Sequence, residues 1–239
     1  MYLLRLTSLI FALGLMISKL FAGPLMPPET MQGSDITRTY QIQPFTKISL
    51  EGAFKVVLEQ GNEYGLKIRT DEDNFKHIEV NSDASSLKLK ISKKRLDFDE
   101  LILYITFKDL EELKMEGGVS LDTKGYLEFN EFYLHVLGGA NIEMNMKANK
   151  FRVTSEGGVK LEFDGIVNEF KALISGAGYM DALNLKSKHC DIRIEGVGTG
   201  SVYATETLNA NISGVGKIRY KGEPRVNKKI EGVGTVTQD

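Results

Sequence analysis

A short alternating strand that runs into a glycine recurs seven times in the second half of this 239-residue chain, and few architectures accommodate such a repeat. The copies read LKMEGGVSL, LHVLGGANI, VTSEGGVKL, ALISGAGYM, IRIEGVGTG, ANISGVGKI and KKIEGVGTV. Their first glycines are Gly117, Gly138, Gly157, Gly176, Gly196, Gly214 and Gly232, in steps of 21, 19, 19, 20, 18 and 18 residues. That period is too short for helical-pair repeats or propeller blades, but suits a β-helix coil or a leucine-rich repeat. The copies lack the asparagine ladder and the helix of a leucine-rich repeat, which leaves the β-helix coil.

A strand sends alternate residues to opposite faces, so aligning the copies on the first glycine tests this reading. Six positions before it stand Phe132, Phe151, Phe170, Cys190, Leu208 and Val226. Four before stand Leu113, Leu134, Val153, Ala172, Ile192 and Ala210, and two before stand Met115, Val136, Ser155, Ile174, Ile194, Ile212 and Ile230. Four after it come Leu121, Ile142, Leu161, Met180, Ile218 and Val236, with Gly200 as the exception. The intervening positions carry Lys114, His135, Thr154 and Arg193, then Glu116, Glu156, Ser175, Glu195 and Glu231, as a solvated face would. Period two within a copy and a fixed period between copies predict an all-β single-stranded β-solenoid, with coils of about 18–21 residues stacked roughly 4.8 Å apart. Each large inward side chain contributes roughly 1.5–3 kcal/mol when buried, so such ladders can hold a fold together without disulfides. The glycine marks a corner, where φ > 0 or close approach of a neighbouring chain excludes a Cβ.

The first half alternates less regularly. Phe45 to Leu58 contains Glu51-Gly52-Ala53, an echo of the glycine unit, and Leu87, Leu89 and Ile91 alternate with Lys88 and Lys90. Leu101, Leu103, Ile105 and Phe107 continue the pattern, and Asp71 to His77 reads as a short helical turn. Residues 37–110 are thus expected to be irregular starting coils and 111–239 the regular ones, all in one solenoid domain spanning 37–239.

The compartment is read from the N-terminus. Residues 1–22 have the form of a secretory signal peptide: Arg5, an apolar stretch from Leu6 to Ile17, then Ser18-Lys19-Leu20-Phe21-Ala22. The apolar stretch falls short of the roughly 20 residues that a spanning helix needs. No cysteine follows the expected cleavage point to carry a lipid, and residues 23–36, with Pro24, Pro27 and Pro28, read as a flexible leader. Losing the two cations Arg5 and Lys19 takes the formal net charge from −2 to −4, a balance that excludes a nucleic-acid footprint. Cys190 is the sole cysteine and cannot form an intrachain disulfide. The expected product is exported to the periplasm or the cell surface, with no membrane span after signal cleavage.

No set of residues converges on a chemistry. Glu116, Glu156, Glu195 and Glu231 share a column, but Glu156 and Glu195 are two coils and hence roughly 10 Å apart, too wide for a retaining glycosidase pair. His77, His135 and His189 occupy different register positions, so they outline neither a metal cluster nor a triad. Gly196-Val197-Gly198 is followed by more strand rather than by the helix of a phosphate loop. Cys190 falls in the column of Phe151 and Phe170 and reads as a small core residue. Lys93-Lys94-Arg95 reads as a solvated loop, and Tyr133, Tyr179 and Tyr203 form no common stripe. Lys228, standing where other copies carry Leu113 or Ile192, and Pro224 just before it read as a cap on the last coil.

Three segments resemble a known family: Phe45-Thr46-Lys47-Ile48-Ser49-Leu50-Glu51-Gly52-Ala53-Phe54-Lys55-Val56, Leu103-Tyr104-Ile105-Thr106-Phe107-Lys108-Asp109-Leu110, and the glycine repeats that follow. Together they resemble the head GIN domain of putative auto-transporter adhesins, found in exported bacterial proteins. The resemblance implies a right-handed parallel β-helix, a surface or periplasmic setting, and no catalytic or cofactor-binding residues to carry over. The expectation for function is a non-enzymatic binding or structural module of the cell envelope. Its partner would be an envelope glycan or protein, and self-assembly into a homo-oligomer is left open. The alternative is a carbohydrate-active β-helix enzyme, a polysaccharide lyase or hydrolase.

Overall fold

The computed structural model describes residues 35–92 and 101–239. The expected signal peptide, all but the last two residues of the leader, and the Lys93-Lys94-Arg95 loop lie outside the described residues. The strands are β1 (Ile36–Tyr40), β2 (Lys47–Gln60), β3 (Gly65–Thr70), β4 (Ile78–Ser82), β5 (Ser86–Ile91), β6 (Ile102–Phe107), β7 (Glu112–Lys124), β8 (Leu127–Lys221), β9 (Arg225–Ile230) and β10 (Val233–Gln238). A short 3-10 turn at Glu72–His77 occupies the place where a helical turn was expected.

Strand β8 is a run of 95 residues that cannot be straight, because it packs on itself. A Cβ added at Gly157 would meet the carbonyl oxygen of Gly138, and one at Gly176 would lie 2.8 Å from the carbonyl oxygen of Gly157. Both glycines have positive φ, 126° and 99°, so both the backbone conformation and the close approach of the preceding glycine's carbonyl demand glycine. The same glycine-on-glycine contact links Gly52, Gly117, Gly138, Gly157, Gly176, Gly196, Gly214 and Gly232 in order. Around this column the pairings are parallel: β2 with β7, β7 with the start of β8, and β9 and β10 with the end of β8.

The single-stranded right-handed parallel β-helix expected from residue 37 onward is corrected: the all-β fold is a ten-stranded open sheet of mixed strand direction. On its other edge β2 pairs in parallel with β5 and β6, but β6 pairs antiparallel with β3, β3 with β1, and β5 with β4. A tight turn explains the β4–β5 reversal. Asp83 accepts hydrogen bonds from the backbone N–H groups of Ser85 (2.9 Å) and Ser86 (2.8 Å) and from both serine hydroxyls (2.9 Å each). An Asx-type turn of this length returns the chain beside the strand it has just left, which forces antiparallel pairing.

Burial follows the sequence columns. Leu113, Leu134, Val153, Ala172, Ile192 and Ala210 are all buried, as are Met115, Val136, Ser155, Ile174, Ile194 and Ile212. Phe129, Phe132, Phe151 and Phe170 stack with centroids 4.3, 5.8 and 5.4 Å apart and near-parallel planes. One core cluster runs from Phe45 to Ile218, and it also contains Met144, Met146, Phe163, Val167, Leu185 and Val202, from the part of each repeat after the glycine.

Candidate functional site

The outward face of the strands that precede the glycine column carries most of the singled-out residues. The glutamates of that face do not gather into a site. Glu116, Glu195 and Glu231 each pair with the cation two residues earlier on the same strand: Lys114 at 3.8 Å, Arg193 at 3.8 Å and Lys229 at 2.6 Å. The hydrogen bond from Lys229 holds the Glu231 carboxyl below its ordinary pKa, so this acid is ionised and neutralised locally. Glu156 has Thr154 at the corresponding position and is exposed.

The histidines stay apart in their bonding. His135 Nδ1 shares a hydrogen bond with Thr154 Oγ1 at 2.8 Å, and His189 Nδ1 with Thr207 Oγ1 at 2.9 Å, while His77 ends the 3-10 turn. Among the described residues, no group of three or more His, Cys, Asp or Glu is placed to hold a metal. Cys190 is buried, and desolvation pushes its thiol far above the ordinary range, so it stays protonated. That is the chemistry of a core residue and not of a nucleophile. Gly196 belongs to the glycine column, and a Cβ on Gly198 would lie 2.8 Å from the Gly178 carbonyl oxygen.

Of the three tyrosines, Tyr133 lies against the His135 ring at 6.4 Å and beneath the Arg152 guanidinium at 4.9 Å. Tyr203 lies near Lys186 and Lys221, and Tyr179 donates to Asp181 Oδ2 at 3.4 Å. They occupy three different environments, as their unlike register positions led one to expect. Tyr133 also lines a cavity of about 540 Å³, together with Lys47, Glu111, Glu112, Glu128 and Glu131.

One feature went unread in the sequence although its letters were visible. In the early copies the glycine pair is followed by an inward Val119 or Val159, both buried. In the later copies the order changes from G-G-V to G-V-G, which puts glycine inside and valine outside. Val197, Val215 and Val233 are consequently 60 %, 52 % and 71 % exposed, in a row beside a cavity of about 550 Å³ floored by Gly198, Gly216 and Gly234. A one-residue shift in a pattern of period two moves a side chain to the opposite face.

Residues 44–224 match the sequence profile of the family described as putative auto-transporter adhesin, head GIN domain. The chain belongs to this family. Crystal structures of similar proteins share the fold. One, named a putative adhesin from Bacteroides fragilis, is 26 % identical, with 86 % of this chain and 97 % of that chain covered and a TM-score of 0.79. A protein from Parabacteroides distasonis named as lipid binding is 23 % identical over 87 % of this chain and 98 % of its own, with a TM-score of 0.69. A putative adhesin from Parabacteroides merdae is 22 % identical over 87 % and 97 % of the two chains, with a TM-score of 0.57. No curated protein matches the chain. Among the described residues no helix is long and apolar enough to cross a membrane.

Proposed function

We propose that this chain is an exported binding or structural module of the cell envelope, placed in the periplasm or at the cell surface, that catalyses no reaction. In this reading residues 111–239 wind as a right-handed solenoid, and residues 37–110 close one end of it within the same domain. The observation that carries the reading is the state of the outward acids: Glu116, Glu195 and Glu231 are each matched by a cation on their own strand. A catalytic acid or base needs a pKa tuned by burial or by a like charge, and these exposed, locally neutralised carboxylates have neither. What the stack offers instead is a long, regular surface whose side chains repeat at the coil spacing, suited to an extended partner. Membership of a family described as adhesins agrees with an envelope glycan or protein as that partner.

The test is an array of envelope glycans and envelope proteins probed with the purified chain, run beside turnover assays on acidic and neutral polysaccharides. Retention of array components without turnover is the expected result. Polysaccharide cleavage that disappears in Glu156→Gln or Glu195→Gln would replace this reading with that of a carbohydrate-active enzyme.

A further inference from the structure

On the same outward face, cations and carboxylates mostly neutralise each other: Lys47 with Glu112, Lys150 with Glu131, Lys229 with Glu231. The middle of the face departs from this. Arg152 and Lys171 both stand five residues before their glycines, Gly157 and Gly176, and so occupy the same column on consecutive coils. Among the described residues neither has a carboxylate within 4.0 Å. Arg152 is instead held over the Tyr133 ring. Arg193 lies one coil further on, and Arg152, Lys171 and Arg193 share the lining of a shallow cavity of about 210 Å³ with Thr154 and a single carboxylate, Asp191. Arg152 and Lys171 thus lack a carboxylate partner, while Arg193 beside them is shared with Glu195 at 3.8 Å, on a chain whose formal net charge is −2.

We propose that this shelf of Arg152, Lys171 and Arg193 binds a linear glycan bearing carboxylates. The inference rests on the binding-module reading and names the ligand class for one face. Neighbouring strands lie about 4.8 Å apart, so Arg152 and Lys171 present two cations at a short spacing, with Arg193 two residues along the strand from Asp191, the next member of their column. Guanidinium groups suit carboxylates because two parallel N–H donors match the two oxygens. A peptide partner that adds a strand fits this face poorly, since the backbone donors and acceptors here are used in the ladders between coils. A glycan needs only side-chain partners for its hydroxyl groups, and the face provides Thr154 and the Asn149–Asn168 and Asn209–Asn227 pairs, at 3.0 and 3.5 Å.

The test measures binding of the purified chain to immobilised polygalacturonate, to neutral dextran and to poly-L-glutamate, with the envelope array run in parallel. The expected result is salt-sensitive retention on polygalacturonate, none on dextran, and weaker retention on poly-L-glutamate. Arg152→Ala/Lys171→Ala should weaken polygalacturonate binding about tenfold or more, with Arg193→Ala acting in the same direction and an unchanged circular dichroism spectrum reporting an intact fold. Three results would overturn the proposal: no binding to polygalacturonate, binding unaffected by the double variant, or equal binding to poly-L-glutamate, which would assign the shelf to an acidic polypeptide. If the array retains partners while polygalacturonate does not bind, the glycan inference fails and the binding-module reading stands. If neither binds, both fail.

Discussion

Gly52 stands in parallel register with Gly117, although more than sixty residues of chain separate them. A Cβ on Gly117 would strike the Gly52 carbonyl group, the same contact that every later glycine of the column makes with its predecessor. The column therefore begins on β2, and β3 to β6, which lie between Gly52 and Gly117 in the sequence, belong to the sheet on the other side of that strand.

That column yields the sharpest contrast for mutation. Gly157 has φ = 126° and the Gly138 carbonyl oxygen where its Cβ would go, whereas nothing lies within 4 Å of a Cβ on Gly158. Gly157→Ala should destabilise the fold by at least about 1–3 kcal/mol, the usual cost of a residue held in a sparsely populated backbone region. Gly158→Ala should be near neutral. Urea midpoints of the two variants against wild type check this, and equal midpoints would deny the column its structural role.

The phenylalanine stack gives a second measurement. The Phe151 ring meets Phe132, Phe163 and Phe170 with centroids 5.8, 5.0 and 5.4 Å away. Phe151→Ala should cost about 3–5 kcal/mol through lost burial and the cavity left behind. Ile166 is 55 % exposed, and Ile166→Ala should stay within about 0.5 kcal/mol of wild type. Thermal denaturation of both variants in the same buffer gives the comparison.

At the C-terminal end of the stack, β9 pairs only with β8, and Ile230 is 40 % exposed where its column neighbour Ile212 is 1 %. Lys228 is exposed in a column whose other members, from Leu113 to Ala210, are buried. A lysine on an open edge opposes pairing with another chain, because pairing would desolvate its charge. Lys228→Leu should promote concentration-dependent self-association in sedimentation velocity. A variant that stays monomeric wherever wild type is monomeric would show that Lys228 is no cap.

The β4–β5 turn should respond to pH. Four hydrogen bonds to the ionised Asp83 carboxylate hold its pKa well below the ordinary value. A group depressed on folding contributes stability that is fully present above its unfolded pKa, about 3.9 for aspartate, and is lost as pH falls through the folded value. Asp83→Ala should therefore lower the melting temperature at about pH 7, and the gap to wild type should narrow as the pH drops well below 3.9. A gap that is constant across this range would remove the charge from the explanation.

Much of this architecture could be read from residues alone because the signals are local. Alternation of period two names the inward side chains, and it placed Leu134, Ile174 and Cys190 in the core correctly. Glycine at a corner is likewise local, since a positive φ is a property of one residue and its immediate backbone. The antiparallel strands at the start were not legible, and Glu51-Gly52-Ala53 could be read as an echo of the glycine unit but not as the partner of Gly117. Which strand β2 accepts on each edge depends on pairings made across long stretches of chain, as the register of Gly52 with Gly117 does.

The candidate shelf shows the same division. Arg193 reads in the linear sequence only as part of a solvated face, and the repeat places Arg152 and Lys171 in one column without saying which of their neighbours neutralise them. Side-chain partners are chosen in three dimensions: Lys150 reaches Glu131 in the preceding repeat, whereas Arg152 lies over Tyr133 and leaves its charge unmatched. Periodicity decides which side of the strand a residue faces, because backbone geometry is set residue by residue. Whether a charge on that side is left free is decided by packing between neighbouring strands, which exists only in the folded chain.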